Sequence, residues 1–74
     1  MNSSEEIEIF VPLLEEGTEV WRPVKAESLN NDLFKIISIN ESDETWEFTT
    51  GQTVKCITKT FADGKSGLVA IERV

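Results

Sequence analysis

The residue types that most often do chemistry are scarce in this chain. Its 74 residues contain no histidine and one cysteine, Cys56. Absence of histidine removes the commonest general base, pH switch and zinc ligand together. A single cysteine excludes an internal disulfide, a paired-cysteine redox site and a cysteine-cluster metal site. Serines have no histidine partner, and no G-x-S-x-G is present. Carboxylates are plentiful, but Glu15 and Glu16 fall in a predicted turn, and Glu41, Asp43 and Glu44 in a polar loop. General acid–base work needs a pocket that raises one carboxyl pKa, and turns and polar loops keep acids solvated. The loop acids do not follow the D-x-[DN]-x-[DN]-G spacing of a calcium loop. No catalytic residue, metal site or cofactor is therefore expected, and the chain reads as a non-enzyme.

What remains for function is surface. Six aromatic residues, Phe10, Trp21, Phe34, Trp46, Phe48 and Phe61, must be placed in a small domain. Phe10 and Trp21 each fall on the strand face opposite the better apolar series, so they are candidates for a partner-binding surface. Against that stands the reading in which the aromatics plug the ends of a barrel. Lys55 and Lys59 share a strand face, Lys65 lies in the next turn and Arg73 on the last strand, so that Lys55, Lys59 and Arg73 with Lys65 between them form a candidate basic stripe if the last two strands pair. Its alternative is a solvated face with lysines guarding a β-rich strand. Cys56 is in phase with Val54 and reads as an inert core thiol.

The elements that position these residues follow from a period of two. Ile7, Ile9 and Val11 alternate with Glu6, Glu8 and Phe10, a half-buried strand that Pro12 closes. Thr18–Ala26 is a second strand, with Pro23 marking an edge or bulge. Leu33–Ile39 is apolar on both faces, which predicts a central strand. Leu29, Leu33, Ile36 and Ile37 also fit a helical face capped by Ser28, and that reading stays open at this point. Thr45–Thr49, Thr53–Phe61 and Leu68–Val74 complete six strands. Thr50-Gly51-Gln52 and Asp63-Gly64 supply turns, the latter closing a hairpin. Short strands at regular spacing in one small chain predict an all-β fold, with residues 1–5 as a disordered leader and residues 6–74 as one domain. A closed barrel removes the edges a lone sheet would leave.

The block Val11-Pro12-Leu13-Leu14-Glu15-Glu16-Gly17-Thr18-Glu19-Val20-Trp21-Arg22-Pro23-Val24-Lys25-Ala26 is distinctive, as are Trp46-Glu47-Phe48, Val54-Lys55-Cys56 and Phe61-Ala62-Asp63-Gly64. Together they resemble a family of small bacterial proteins with an SH3-like barrel and no assigned function. The resemblance runs from about Val11 onward. It implies an SH3-like barrel of five or six antiparallel strands and a bacterial source. It implies no activity, substrate or site residue. An OB-like barrel is the alternative fold.

Charge bounds the partners. The net charge is −7. Residues 1–47 hold twelve acids against three bases, and residues 48–74 hold two against four. Overall acidity opposes generic nucleic-acid binding, which is mostly phosphate electrostatics. No apolar run approaches a membrane span. The polar, acidic N-terminus does not read as a signal peptide, and a small domain without disulfides suits a reducing compartment. The expectation is a cytoplasmic monomer that engages an unidentified protein partner. The alternatives are an RNA-associated barrel using Lys55, Lys59 and Arg73, and a chain that self-associates head to tail.

Overall fold

Five strands form in the computed structural model, which describes residues 6–14, 20–30, 32–40 and 44–74. They are β1 (Glu6–Pro12), β2 (Trp21–Asn30), β3 (Leu33–Ile36), β4 (Thr53–Thr60) and β5 (Ser66–Arg73). Each strand neighbours the next in sequence, and the sheet closes on itself as a barrel. Antiparallel neighbours alternate in direction, so an odd number of strands cannot close without one parallel pair. That pair is β1 with β5, in register at Phe10 and Val69. The all-β small barrel is thus as expected, and it is compatible with an SH3-like form. The seam at β1–β5 is parallel, where antiparallel pairing throughout was predicted.

The pleat sorts side chains as the sequence alternation predicts. Ile9, Val11, Val24, Ala26, Phe34, Ile36, Val54, Cys56 and Ala70 point inward and form the core with Trp46 and Phe48. Glu8, Phe10, Trp21, Lys25, Lys55 and Ile57 alternate with them and face outward. Opposite charges meet across the outer ladders: Glu8 lies opposite Lys25, Glu27 opposite Lys35, and Lys55 opposite Glu72. Such pairs favour this register over a slipped one.

Two predicted elements differ. Leu33–Ile39 stops pairing at Ile36, and Ile39 is 72% exposed. The helical alternative is not adopted; Ser28 and Leu29 belong to β2, whose pairing with β3 is irregular between Ser28 and Asn30. Thr45–Thr49 is not a strand. It crosses the barrel end where β1 and β3 both finish. Leu13 bridges Trp46, Leu14 N–H donates to the Thr45 carbonyl at 2.8 Å, and Gly51 N–H donates to the Ile36 carbonyl at 2.7 Å. The segment is short because its task is to lower Trp46 and Phe48 into the open end, not to extend a ladder. Gly51 takes φ +89° in the turn after it, a conformation open to glycine without a Cβ clash. Residues 1–5 and the Glu15, Glu16, Thr18 and Glu19 portion of the β1–β2 connection lie outside the described residues. So do Glu41 and Asp43.

Cys56 is an interior residue, as its phase predicts. Loss of water on burial, and secondarily the Asp32 carboxylate, push its thiol up to about 11. An unfolded cysteine titrates near about 8.5. Its stabilising effect is therefore complete below that value and is lost as pH rises toward 11. Denaturant unfolding at a series of pH values should show stability falling more steeply above about pH 8.5 in the native chain than in Cys56→Ala. Equal slopes would place the thiol in contact with solvent.

Candidate functional site

The barrel interior takes three of the six aromatic residues. Phe34, Trp46 and Phe48 are buried. Phe10, Trp21 and Phe61 remain outside and gather in one cluster. The Phe10 and Phe61 rings meet edge to face with centroids 5.0 Å apart and planes at 62°. Trp21 and Phe61 do likewise at 6.4 Å and 65°. Offset and edge-on contacts of this kind contribute about 0.5–1.5 kcal/mol beyond their buried area.

Local structure explains how each ring arrives there. Phe10 is an outward position of β1, opposite Pro23 on β2 and Val69 on β5, and Val69 lies opposite Ile57 on β4. An unbroken apolar row thus crosses four strands on the outside of the barrel. Val69 alternates with the inward Leu68 and Ala70, yet it is only 2% exposed. It is covered from outside, and Phe10 is its immediate neighbour in the row. Trp21 opens β2 opposite Pro12. Phe61 stands at the mouth of the β4–β5 hairpin. There, Phe61 N–H donates to the Lys65 carbonyl at 2.7 Å, and Gly64 N–H donates to the Phe61 carbonyl at 2.9 Å. Gly64 takes φ +89°, the left-handed residue that a three-residue hairpin loop needs. The Asp63 carboxylate accepts from Lys65 N–H at 3.0 Å and fixes the turn.

Gly67 provides the space. A Cβ there would sit 2.7 Å from Phe10 Cε1 and 3.2 Å from Phe61 Cε2. The two rings occupy the volume that any other residue would need. The result is an open groove of about 620 Å³ whose lining includes Phe10, Trp21, Phe61 and Gly67, with Glu8, Asp63 and Lys65 as its charged groups. A second, smaller groove runs over Leu13, Leu14 and Ile71 on the other side, and Trp21 borders both.

The candidate residues read from sequence therefore separate. Phe10 and Trp21 are brought together, and both are half-buried rather than fully exposed. The basic stripe is not continuous. Lys55 faces Glu72 across the ladder, and Arg73 is paired with the inward Val54 at the far end of β4 from Lys59. Lys59 instead belongs to the aromatic cluster. Its Nζ lies 6.0 Å from the Trp21 ring centroid, and its cross-strand partner is Gly67, which has no side chain to meet it. Phe61 and Gly67 were not singled out from sequence as site residues. The signal that identifies Phe61 is its place just before Ala62-Asp63-Gly64, where a hairpin turn must point it sideways.

A second constellation is structural. Glu44 accepts from Arg22 Nε at 2.9 Å and from Arg22 Nη2, and it also accepts from Trp46 Nε1 at 3.1 Å. The hydrogen bond to Glu44 and its charge raise the Arg22 pKa further, so the guanidinium stays charged. Asn40 Nδ2 donates to the Glu44 carbonyl at 2.6 Å. Arg22 interrupts the apolar series of β2, and this contact is the reason: it anchors the acid that satisfies the indole of the end-plugging Trp46. Among the described residues, no group of three metal-ligating side chains comes together. No helix among them is long and apolar enough to cross a membrane.

In comparisons with protein families, curated proteins and solved structures, the chain matches none.

Two substitutions test this geometry. Glu44→Ala leaves a part-buried indole N–H without this acceptor and removes the Arg22 ion pair, and should cost about 1 kcal/mol. Glu44→Gln, which keeps an acceptor oxygen, should cost less, and chemical denaturation measures both. Gly67→Ala should displace Phe10 and Phe61, cost about 1–3 kcal/mol through overpacking, and shift the Trp21 indole resonance. Ser66→Ala beside it should do none of these.

Proposed function

We propose that this chain is a small non-catalytic protein-interaction module of the bacterial cytoplasm, akin to the small SH3-like barrels its sequence resembles, and that it acts as a monomer. The contact surface is the outer groove of Phe10, Trp21 and Phe61. One observation carries the reading: three of six aromatic rings lie outside the core, on one face, around a single groove. Tryptophan and other large rings at such positions give contact area with few rotatable bonds, which is why they dominate binding hot spots. Phe10 also stands beside the buried Val69 on the seam, and the rings pack on one another, so they are partly support. The exposed ring surface remaining in the groove is what a partner would take up.

The basic stripe supports an RNA-associated role less well, because Lys55 has Glu72 opposite it and Arg73 stands apart from Lys59.

Affinity capture with the full chain, with and without nuclease, tests the proposal. Trp21→Ala should reduce partner recovery at least about tenfold, the loss of a hot-spot side chain of roughly 1.4 kcal/mol or more. It should leave the barrel folded by circular dichroism. Unfolding of the variant would assign Trp21 to support of the fold. Loss of every partner on nuclease treatment would favour RNA instead.

A further inference from the structure

We infer that the Trp21 groove receives a cationic side chain, arginine above all, from an extended basic segment of the partner, and that Lys59 is the chain's own competitor for that position. The inference rests on the interaction-module reading and adds the chemistry of its ligand.

The face of an indole ring attracts cations through its quadrupole. Here that face already holds one, since Lys59 Nζ lies 6.0 Å from the Trp21 centroid. The contact is at the outer limit of a cation–π interaction and is made by a flexible four-carbon stem. It is accordingly weak and exchangeable. Lys59 reaches it because its neighbour across the ladder is Gly67. The other outer-face lysines on the ladders, Lys25, Lys35 and Lys55, each have a glutamate opposite them. Lys59 is the one that faces a ring.

The net charge of the chain, −7, favours a cation over an anion at a groove whose own charges balance. Glu8 and Asp63 line the groove, Lys65 lies with them, and Lys59 sits at the ring. Two acids thus stand with two bases, on a chain whose net charge is −7. An anionic segment would meet the field of the whole protein as well as the two groove acids. A cation that takes the place of Lys59 leaves the balance of the groove unchanged, while Lys59 swings into water. Arginine is favoured in this exchange. Its guanidinium is planar, stacks on an aromatic face, and sheds water more readily than an ammonium group. Trp21 borders a groove on each side, so an extended segment crossing it could set one side chain on the ring and apolar neighbours against Leu13, Leu14 and Ile71.

The test uses the full chain, isotopically labelled, and three short peptides that differ at one pair of positions: arginine, the uncharged isostere citrulline, or glutamate. The indole N–H resonances of Trp21 and Trp46 report the groove and the barrel end separately. The arginine peptide should shift the Trp21 indole and the Gly67 amide and leave the Trp46 indole in place. Citrulline should weaken binding by about two- to fivefold, the size of an exposed cation–π contact. Lys59→Met, which keeps the stem and removes the charge, should strengthen arginine-peptide binding by a similar factor, with Lys59→Gln as a second variant. Glu8→Gln should weaken it. Unchanged or weaker binding in both Lys59 variants overturns the competitor role. Equal binding of the citrulline peptide overturns cation selection and leaves the groove as an uncharged docking surface, with the module reading intact. Preference for the glutamate peptide, or no shift with any peptide, overturns the inference, and Trp21→Ala capture then decides the module reading on its own.

Discussion

The capacity of a five-stranded barrel governs the rest of the molecule. Inward positions on its strands hold mostly small and medium side chains, such as Val11, Ala26, Ile36, Val54 and Ala70. Phe34, Trp46 and Phe48 then complete the interior, the last two delivered by a segment that crosses one open end. Native interiors are close-packed, so a further ring could enter only by displacing one already there. Phe10, Trp21 and Phe61 are consequently an outer layer. Their exclusion from the interior creates a surface feature, the groove proposed above as the contact for a partner.

Closure sets where that layer forms. Five alternating strands require one parallel pair, and it falls at β1–β5. The outer face over this seam carries Phe10 and Val69 side by side, flanked by Pro23 and Ile57. Phe10 thus lies beside the buried Val69 at a seam whose ladder holds one paired position. On the proposed reading, stability and recognition draw on the same rings. Gly67 links the two roles, since the missing side chain makes room for Phe10 and Phe61 and also leaves Lys59 free to reach Trp21.

Much of this was legible in the residues. Alternation in Ile7–Val11 and Val54–Cys56 fixed the inward faces, because a period of two has only one register that buries the apolar set. Asp63-Gly64 announced its hairpin through turn chemistry. Phe10 and Trp21 stood out as candidates for an outward surface because they oppose those apolar sets, while alternation alone left the inward side of the second strand undecided. The position of Phe61 and the role of Gly67 were less legible, since both depend on contacts between β1 and β5, which are far apart in sequence. Thr45–Thr49 looked like a strand because Trp46 and Phe48 alternate with Glu47, and a plug with two inward rings shows the same alternation. Arg22 gave no sign of its partner, which lies twenty-two positions away on a polar segment. The break in the lysine stripe was likewise hidden until the ladder placed Glu72 opposite Lys55.

The central claim is that the aromatic set divides into an enclosed half and a solvent-facing half. Solvent paramagnetic relaxation of the two tryptophan indoles, using a soluble neutral relaxation agent, tests it within one sample. The division predicts strong relaxation at the Trp21 side chain and little at Trp46, which is 7% exposed and hydrogen-bonded to Glu44. Equal protection of the two indoles would mean that Trp21 belongs to the core, and the groove would then be no surface for a partner.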